Sequence, residues 1–253
     1  MKPRSVREQV SAEEWQQRVD LACAHRLIAE SGIRDLTYNH LSARVPGEPG
    51  AMLIKNPDQM FEEVTASSLH KYDIETGGPL LGASRNLFGG GLIIHAGLLG
   101  AKPNLNAVFH THSAANIAVA SHKCGLLPIS QHAFRFHDRL AYHRFRGYEF
   151  EIKMREWLIE DLGEHKAALL ENHGALTVGE SVAEAFVLHH SLESACRAQV
   201  GALAAGLDNV KIPPPDIIAH AAEQVARGTG GYRRKDWEAC LRKAERIDPR
   251  FKE

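Results

Sequence analysis

The sequence predicts an α/β domain in which a central sheet is covered by helices. Three observations predict it. Short apolar runs with strand character mix irregularly with stretches of helical pattern. Two Ser-x-x-Glu capping boxes, one at Ser11 and Glu14 and one at Ser181 and Glu184, open the two clearest helical stretches. No internal repeat or low-complexity tract interrupts the 253 residues, a length sufficient for one domain with a large core.

Taken in order, Ser11 caps a helix that runs through Trp15, Val19, Cys23 and Leu27 and closes at Gly32. Residues 36–45 and 51–55 read as strands joined by the turn Pro46-Gly47-Glu48-Pro49-Gly50. A helical turn over 65–69 and a short strand, Tyr72-Asp73-Ile74, precede the breaker Gly77-Gly78-Pro79. Gly89-Gly90-Gly91 is a bend, and 92–100 a short apolar helix carrying His95. Residues 107–112 form a strand and 113–123 an Ala-rich helix, which Gly125-Leu126-Leu127-Pro128 ends. A helix over 151–162 stops at Gly163, and 167–178 holds two strands interrupted by His173-Gly174. The longest helix runs from Ser181 to about residue 206. Pro213-Pro214-Pro215 reads as a stiff linker, followed by helical pieces over 216–227 and 235–246 around a flexible Gly228-Thr229-Gly230-Gly231. This C-terminal part is too small for a core of its own and is expected to pack on the main body or on a neighbouring subunit.

Composition excludes several function classes. Hydrophobic content of 44% and charged content of 24% are those of an ordinary globular chain. A formal net charge of −1 points neither to nucleic acid nor to an anionic membrane. No apolar run approaches the roughly 18 residues needed to span a bilayer, and no signal peptide is read at Met1-Lys2-Pro3-Arg4-Ser5-Val6-Arg7. Cys23, Cys124, Cys196 and Cys240 are scattered, without a C-x-x-C pair, which suits a reducing cytoplasm.

The chemistry concentrates at Val108-Phe109-His110-Thr111-His112 and at Glu171-Asn172-His173-Gly174. On a strand, side chains two apart share a face, so His110 and His112 project side by side. His173 follows the apolar run Ala167-Ala168-Leu169-Leu170, near the end of another strand. Three imidazoles converging from strand ends are the ligand set of a catalytic metal site with one position left for water or substrate. The bland alternative is two histidines alternating on a half-buried strand.

These motifs carry a resemblance. His110-Thr111-His112, the stretch Cys124-Gly125-Leu126-Leu127-Pro128-Ile129-Ser130-Gln131, and Asn172-His173-Gly174-Ala175-Leu176-Thr177-Val178-Gly179 together resemble the class II aldolase and adducin family. Thr37-Tyr38-Asn39-His40-Leu41-Ser42-Ala43-Arg44 is similar to that family's N-terminal substrate loop, and the match runs over about 11–206. The resemblance implies a three-layer α/β/α fold with a mixed, largely antiparallel central sheet. It implies a domain over residues 1–210 with a C-terminal helical extension over 211–253, and a homotetramer with sites at subunit interfaces. It further implies that His110, His112 and His173 hold a divalent ion. That ion is Zn²⁺ in the sugar-phosphate members, Mn²⁺ or a similar ion in decarboxylating ones, and iron in a few oxygenases.

The chain departs from the aldolase members at the substrate pocket. Their Ser-Ser-Glu, which supplies phosphate contacts and a general base, reads Gly89-Gly90-Gly91 here. Their Gly-Asn-x-Ser loop reads Asn39-His40-Leu41-Ser42, and their Thr-Pro-Ser-Gly turn reads Asn56-Pro57-Asp58-Gln59, where Asp58 would repel a phosphate. The glycines are expected to open volume beside the metal. His132 is the candidate proton donor, reaching the site from an adjacent subunit; a surface histidine is the other reading. His40, Ser42, Arg44, Gln131 and His95 are the candidate substrate contacts. For His95 a histidine packed in the core, and for Arg44 a solvated charge, remain open.

These expectations describe a cytoplasmic, metal-dependent lyase on a small non-phosphorylated keto, hydroxy or aromatic acid, acting by decarboxylation or aldol-type cleavage. Both reactions pass through an enolate that a divalent ion stabilises. Two alternatives stand beside it: a mononuclear non-haem iron oxygenase on the same scaffold, and an adducin-like binding protein without catalysis.

Overall fold

The computed structural model describes residues 4–148 and 151–253, with the backbone alone for 229–234. Met1, Lys2 and Pro3 of the N-terminal stretch lie outside them. Eight strands form one sheet in the order β4-β3-β2-β1-β5-β8-β7-β6. They are β1 (His40–Val45), β2 (Glu48–Ile54), β3 (His70–Asp73), β4 (Pro79–Leu81), β5 (Ala107–Thr111), β6 (Ala141–His143), β7 (Ala167–Leu170) and β8 (Gly174–Gly179). All pairs are antiparallel except β6 with β7.

Helices cover both faces. On one face α1 (Ala12–Glu30) and α6 (Val182–Leu203) pack on Leu41, Ala43, Leu53, Ala107 and Phe109. On the other, a π-helical segment at Gly91–Ala96 continues into α2 (Gly97–Ala101), and α5 (Lys153–Leu162) lies beside it. They cover Met52, Ile54, Val108, Leu176 and Val178. The period-2 alternation along β1 sends Leu41, Ala43 and Val45 to the α1 face and His40, Ser42 and Arg44 to the π-helix face. A sheet covered on both faces needs apolar side chains on both, and so β7 reads as the unbroken run AALL. Two smaller helices, α3 (Ala114–Ala120) and α4 (Gln131–Phe134), flank the far end.

β4 and β6 lie where the sequence predicts no strand, and two further expectations change. The predicted strand over 36–45 starts only at His40, because the four residues before it form a loop in which Leu36 is held at φ 48. The C-terminal pieces are one helix, α7 (Pro215–Ile247), not two around a flexible tetrad. Its two halves are anchored separately: Ile218 and Ala222 are buried before the glycines, and Trp237 and Ala244 after them. Trp237 meets Phe186 of α6 with ring centroids 5.4 Å apart, so tertiary contacts outweigh the roughly 1 kcal/mol that each interior glycine costs a helix. The chain end folds back: Phe251 is fully buried, and Ala66 N–H donates to its carbonyl at 2.9 Å.

Candidate metal centre

His110 stands on β5, His112 just beyond the strand's end, and His173 in the tight turn between β7 and β8. Their Nε2 atoms converge: His110 to His112 at 2.8 Å, His112 to His173 at 3.1 Å, and His110 to His173 at 3.2 Å. The rings lie 4.6–4.8 Å apart at their centroids. The turn makes this possible. Asn172 takes the left-handed conformation, φ 56, which asparagine tolerates better than most residues. A Cβ on Gly174 would run into the carbonyl oxygen of Thr111, so only glycine lets β8 approach β5 there.

The outer partners fix how the rings present themselves. His110 Nδ1–H donates to the Ala175 carbonyl at 3.0 Å, and His112 Nδ1–H to the Asp35 carboxylate at 2.8 Å. Each neutral ring then carries its lone pair on Nε2. Two lone pairs 2.8 Å apart repel unless a cation or a proton lies between them, so this donor set fits a divalent ion. A carboxylate or carbonyl behind each ligating imidazole is the usual outer arrangement of such sites. Burial, then the charges that His112 and His173 would carry, push His110 well below the usual imidazole range, keeping it in the ligating form. Asn39, almost fully buried, holds the approach to His112 by accepting its backbone N–H at 2.9 Å.

A second histidine group adjoins the triad. His40 lies directly across from His110 in the β1–β5 register, with ring centroids 5.1 Å apart. Its Nδ1 is 2.7 Å from His95 Nε2, and His95 Nδ1 is 2.6 Å from Ser42 Oγ. The glycines before His95 do not leave the open volume expected beside the triad. A Cβ on Gly90 would fall 2.8 Å from His40 Nε2, and one on Gly91 2.8 Å from the Leu87 side chain, so neighbours already occupy that space.

The turn at Asn56-Pro57-Asp58-Gln59 is turned inward. Asp58 N–H goes to the Asn56 side chain at 3.2 Å and Gln59 N–H to the Asn56 carbonyl at 3.1 Å. Lys55 donates to the carbonyls of Thr37 and Gln59 at 2.8 Å each and of Asn56 at 3.3 Å. Burial lowers this ammonium to about 8, still charged at neutral pH, and it tilts the local field toward anions.

Other candidates go elsewhere within the chain. Arg44 shares the face of His40 and Ser42 but lies toward the opposite end of β1. There its guanidinium serves the carbonyls of Leu105, Leu99, Lys102 and Pro49. Gln131 and His132 are exposed on α4, which packs on α6 and α7, and the His132 ring faces His190 at 6.3 Å. Asp35 and Lys55 take part in the site although the sequence pattern assigned them no role in it, and Asn39, part of the expected substrate loop, holds the His112 backbone. An acidic residue in the loop before β1 was the sole signal for Asp35, and a lysine closing an apolar strand the sole signal for Lys55.

A helix-covered eight-stranded sheet with three convergent imidazoles at one strand end defines an α/β/α protein with a candidate metal centre. The family model for the class II aldolase and adducin N-terminal domain matches residues 19–200. An aldolase II superfamily protein from Pseudomonas syringae superposes with a TM-score of 0.94 at 40% identity, covering 99% of this chain and 100% of that one. A Caulobacter vibrioides protein named for the class 2 aldolases is 39% identical over 98% of this chain and 96% of its own. Mouse alpha-adducin is 37% identical over 78% of this chain but only 27% of its own length. The chain belongs to the class II aldolase and adducin family. The L-fuculose 1-phosphate aldolase from Glaciozyma antarctica, at 23% identity and TM-score 0.80, shares the fold.

Proposed function

We propose that the chain is a metal-dependent carbon–carbon lyase acting on a small, non-phosphorylated keto, hydroxy or aromatic acid, by decarboxylation or aldol-type cleavage. The observation that carries this reading is the convergence of three Nε2 atoms to within 3.2 Å, each of the two buttressed rings aimed by a fixed outer acceptor. His110, His112 and His173 would hold the ion, Zn²⁺ first, with Mn²⁺ or Fe²⁺ as the other metals to test. A divalent ion there would polarise a carbonyl oxygen and stabilise the enolate left when a C–C bond breaks. The chain's own residues supply the rest. Lys55 and the metal charge favour an anionic substrate, and His40 stands beside the triad to contact it. The 56–59 turn offers little to a phosphate: Asp58 and Gln59 have committed their N–H groups, and Asp58 repels it.

The test is a screen of metal-loaded protein against keto, hydroxy and aromatic acids in parallel with ketose and aldose 1-phosphates. Turnover is expected in the first set alone. A kcat/KM near or above about 10⁴ M⁻¹s⁻¹ on a sugar phosphate would overturn the substrate assignment. The likeness to alpha-adducin favours a second reading, a binding role without catalysis. Metal bound at the triad with no turnover in either set, under air and anaerobically, would select it.

The assembly belongs to the same proposal. Gln131 and His132 are exposed in one chain, and we place them against the triad of a neighbouring subunit in a homotetramer, His132 as proton donor. Light scattering is expected to give four times the 27.9 kDa chain mass. Inactive His173→Ala and His132→Ala chains are expected to regain partial activity when co-assembled. A monomer at micromolar concentration contradicts this arrangement.

A further inference from the structure

Ser42, His95 and His40 form a hydrogen-bond chain whose direction follows from satisfying the buried Ser42 hydroxyl when both rings are neutral. Ser42 and His95 are both fully buried. Among the described residues the Ser42 hydroxyl meets one partner, His95 Nδ1 at 2.6 Å. A buried O–H without an acceptor carries the full desolvation penalty, so the hydroxyl proton points to His95 Nδ1. That nitrogen therefore holds a lone pair, and the single N–H of His95 is on Nε2. It donates to His40 Nδ1 at 2.7 Å, which must also hold a lone pair. The remaining proton of His40 is then on Nε2. That atom meets no protein partner among the described residues, and His40 as a whole is half-buried.

We infer that this chain locks His40 as a neutral donor, presenting Nε2–H beside the triad to a carboxylate or carbonyl oxygen of the bound acid. The inference rests on the metal-dependent reading for its ligand, though the direction of the chain does not. The register that sets His40 opposite His110 places the donor at the edge of the candidate metal centre. Gly90 belongs to the device, because a Cβ there would meet His40 Nε2 and Cε1 at 2.8 and 2.9 Å and displace the ring. His95 sits within the π-helical segment, whose wider turn sets its spacing to Ser42 and His40 apart from that of an α-helix. A neutral donor suits an oxygen that gains negative charge as a bond breaks, since the hydrogen bond strengthens as the charge develops. Here His40 contacts substrate, whereas Ser42 and His95 are positioning residues that act through it.

Neutron diffraction from deuterium-exchanged crystals of the full chain tests the direction without metal or turnover. Deuterium is expected on Nε2 of both His95 and His40; deuterium on His40 Nδ1 would overturn the chain. Calorimetry with oxalate, a planar dicarboxylate that chelates metal ions, tests the ligand on Zn²⁺-loaded protein. Ser42→Ala is expected to weaken oxalate about tenfold or more, with Zn²⁺ affinity unchanged, and Ser42→Thr to restore it. Equal oxalate affinity in wild type and Ser42→Ala, both Zn²⁺-loaded, would overturn the donor role. Failure of the wild type to bind Zn²⁺ would count against the metal reading, while the neutron result would still decide the chain.

Discussion

Taking the metal-stripped protein from pH 7 to pH 4.5 is expected to unfold it or bring it close to unfolding. His25, His95 and His189 are buried, and burial as the first cause lowers them to about 3, 3 and 4. Their ordinary value lies near 6.5. Above 6.5 both states leave these rings neutral, and the contribution is constant. Between 6.5 and about 4 the unfolded chain takes up three protons that the folded chain refuses, so stability falls as pH falls. Each group contributes about 1.4 kcal/mol per pH unit, so two units weaken the fold by on the order of 8 kcal/mol. That is comparable with the whole stability of a typical domain, about 5–15 kcal/mol. Denaturant titrations at pH 7, 5.5 and 4.5 would measure it, and a midpoint unchanged from pH 7 to 5 would contradict it.

Replacing His173 with alanine is expected to lower Zn²⁺ affinity at least a hundredfold, with equivalent losses for His110→Ala and His112→Ala. Removing only an outer partner of a ligating histidine costs about 10–100-fold, and loss of the ligand itself costs more. The same effect should appear in melting. At a metal concentration a hundred times Kd, the wild type gains about 2.7 kcal/mol, or about 5–10 °C for a chain of this size. The variants should show almost none of that shift. A metal-dependent shift equal to wild type in all three would place the ion elsewhere.

The strand half of this site was legible because its geometry is local. His110 and His112 are two apart at a strand end, and period two puts their rings on one side whatever the rest of the chain does. His173 was legible from its place after the apolar run 167–170, at the end of another strand, and the tight turn that Asn172 and Gly174 supply brings its ring to the pair. Asp35 was not legible. It meets His112 across 77 positions of sequence, through a loop whose left-handed Leu36 breaks the expected strand. Arg44 shows the limit of face arguments. It does share a face with His40 and Ser42, but four residues along a strand at about 3.3 Å each separate it from His40 by about 13 Å. Nor did the sequence show what fills the space at the glycines before His95. At Gly90 that depends on His40 arriving from a distant strand, and at Gly91 on how the local loop folds Leu87 back. The continuity of α7 was hidden for a similar reason: the anchors at Ile218 and Trp237 are tertiary, whereas the glycines between them are a local signal.

On the proposed reading the three imidazoles hold one divalent ion. Anomalous diffraction at the metal edge, from crystals of protein purified without chelators, tests it most directly. The expected result is a single anomalous peak per chain, about 2.0–2.2 Å from Nε2 of His110, His112 and His173. Density at the triad with no anomalous peak after soaking in Zn²⁺, Mn²⁺ and Fe²⁺, or a peak bound by other residues, would contradict it.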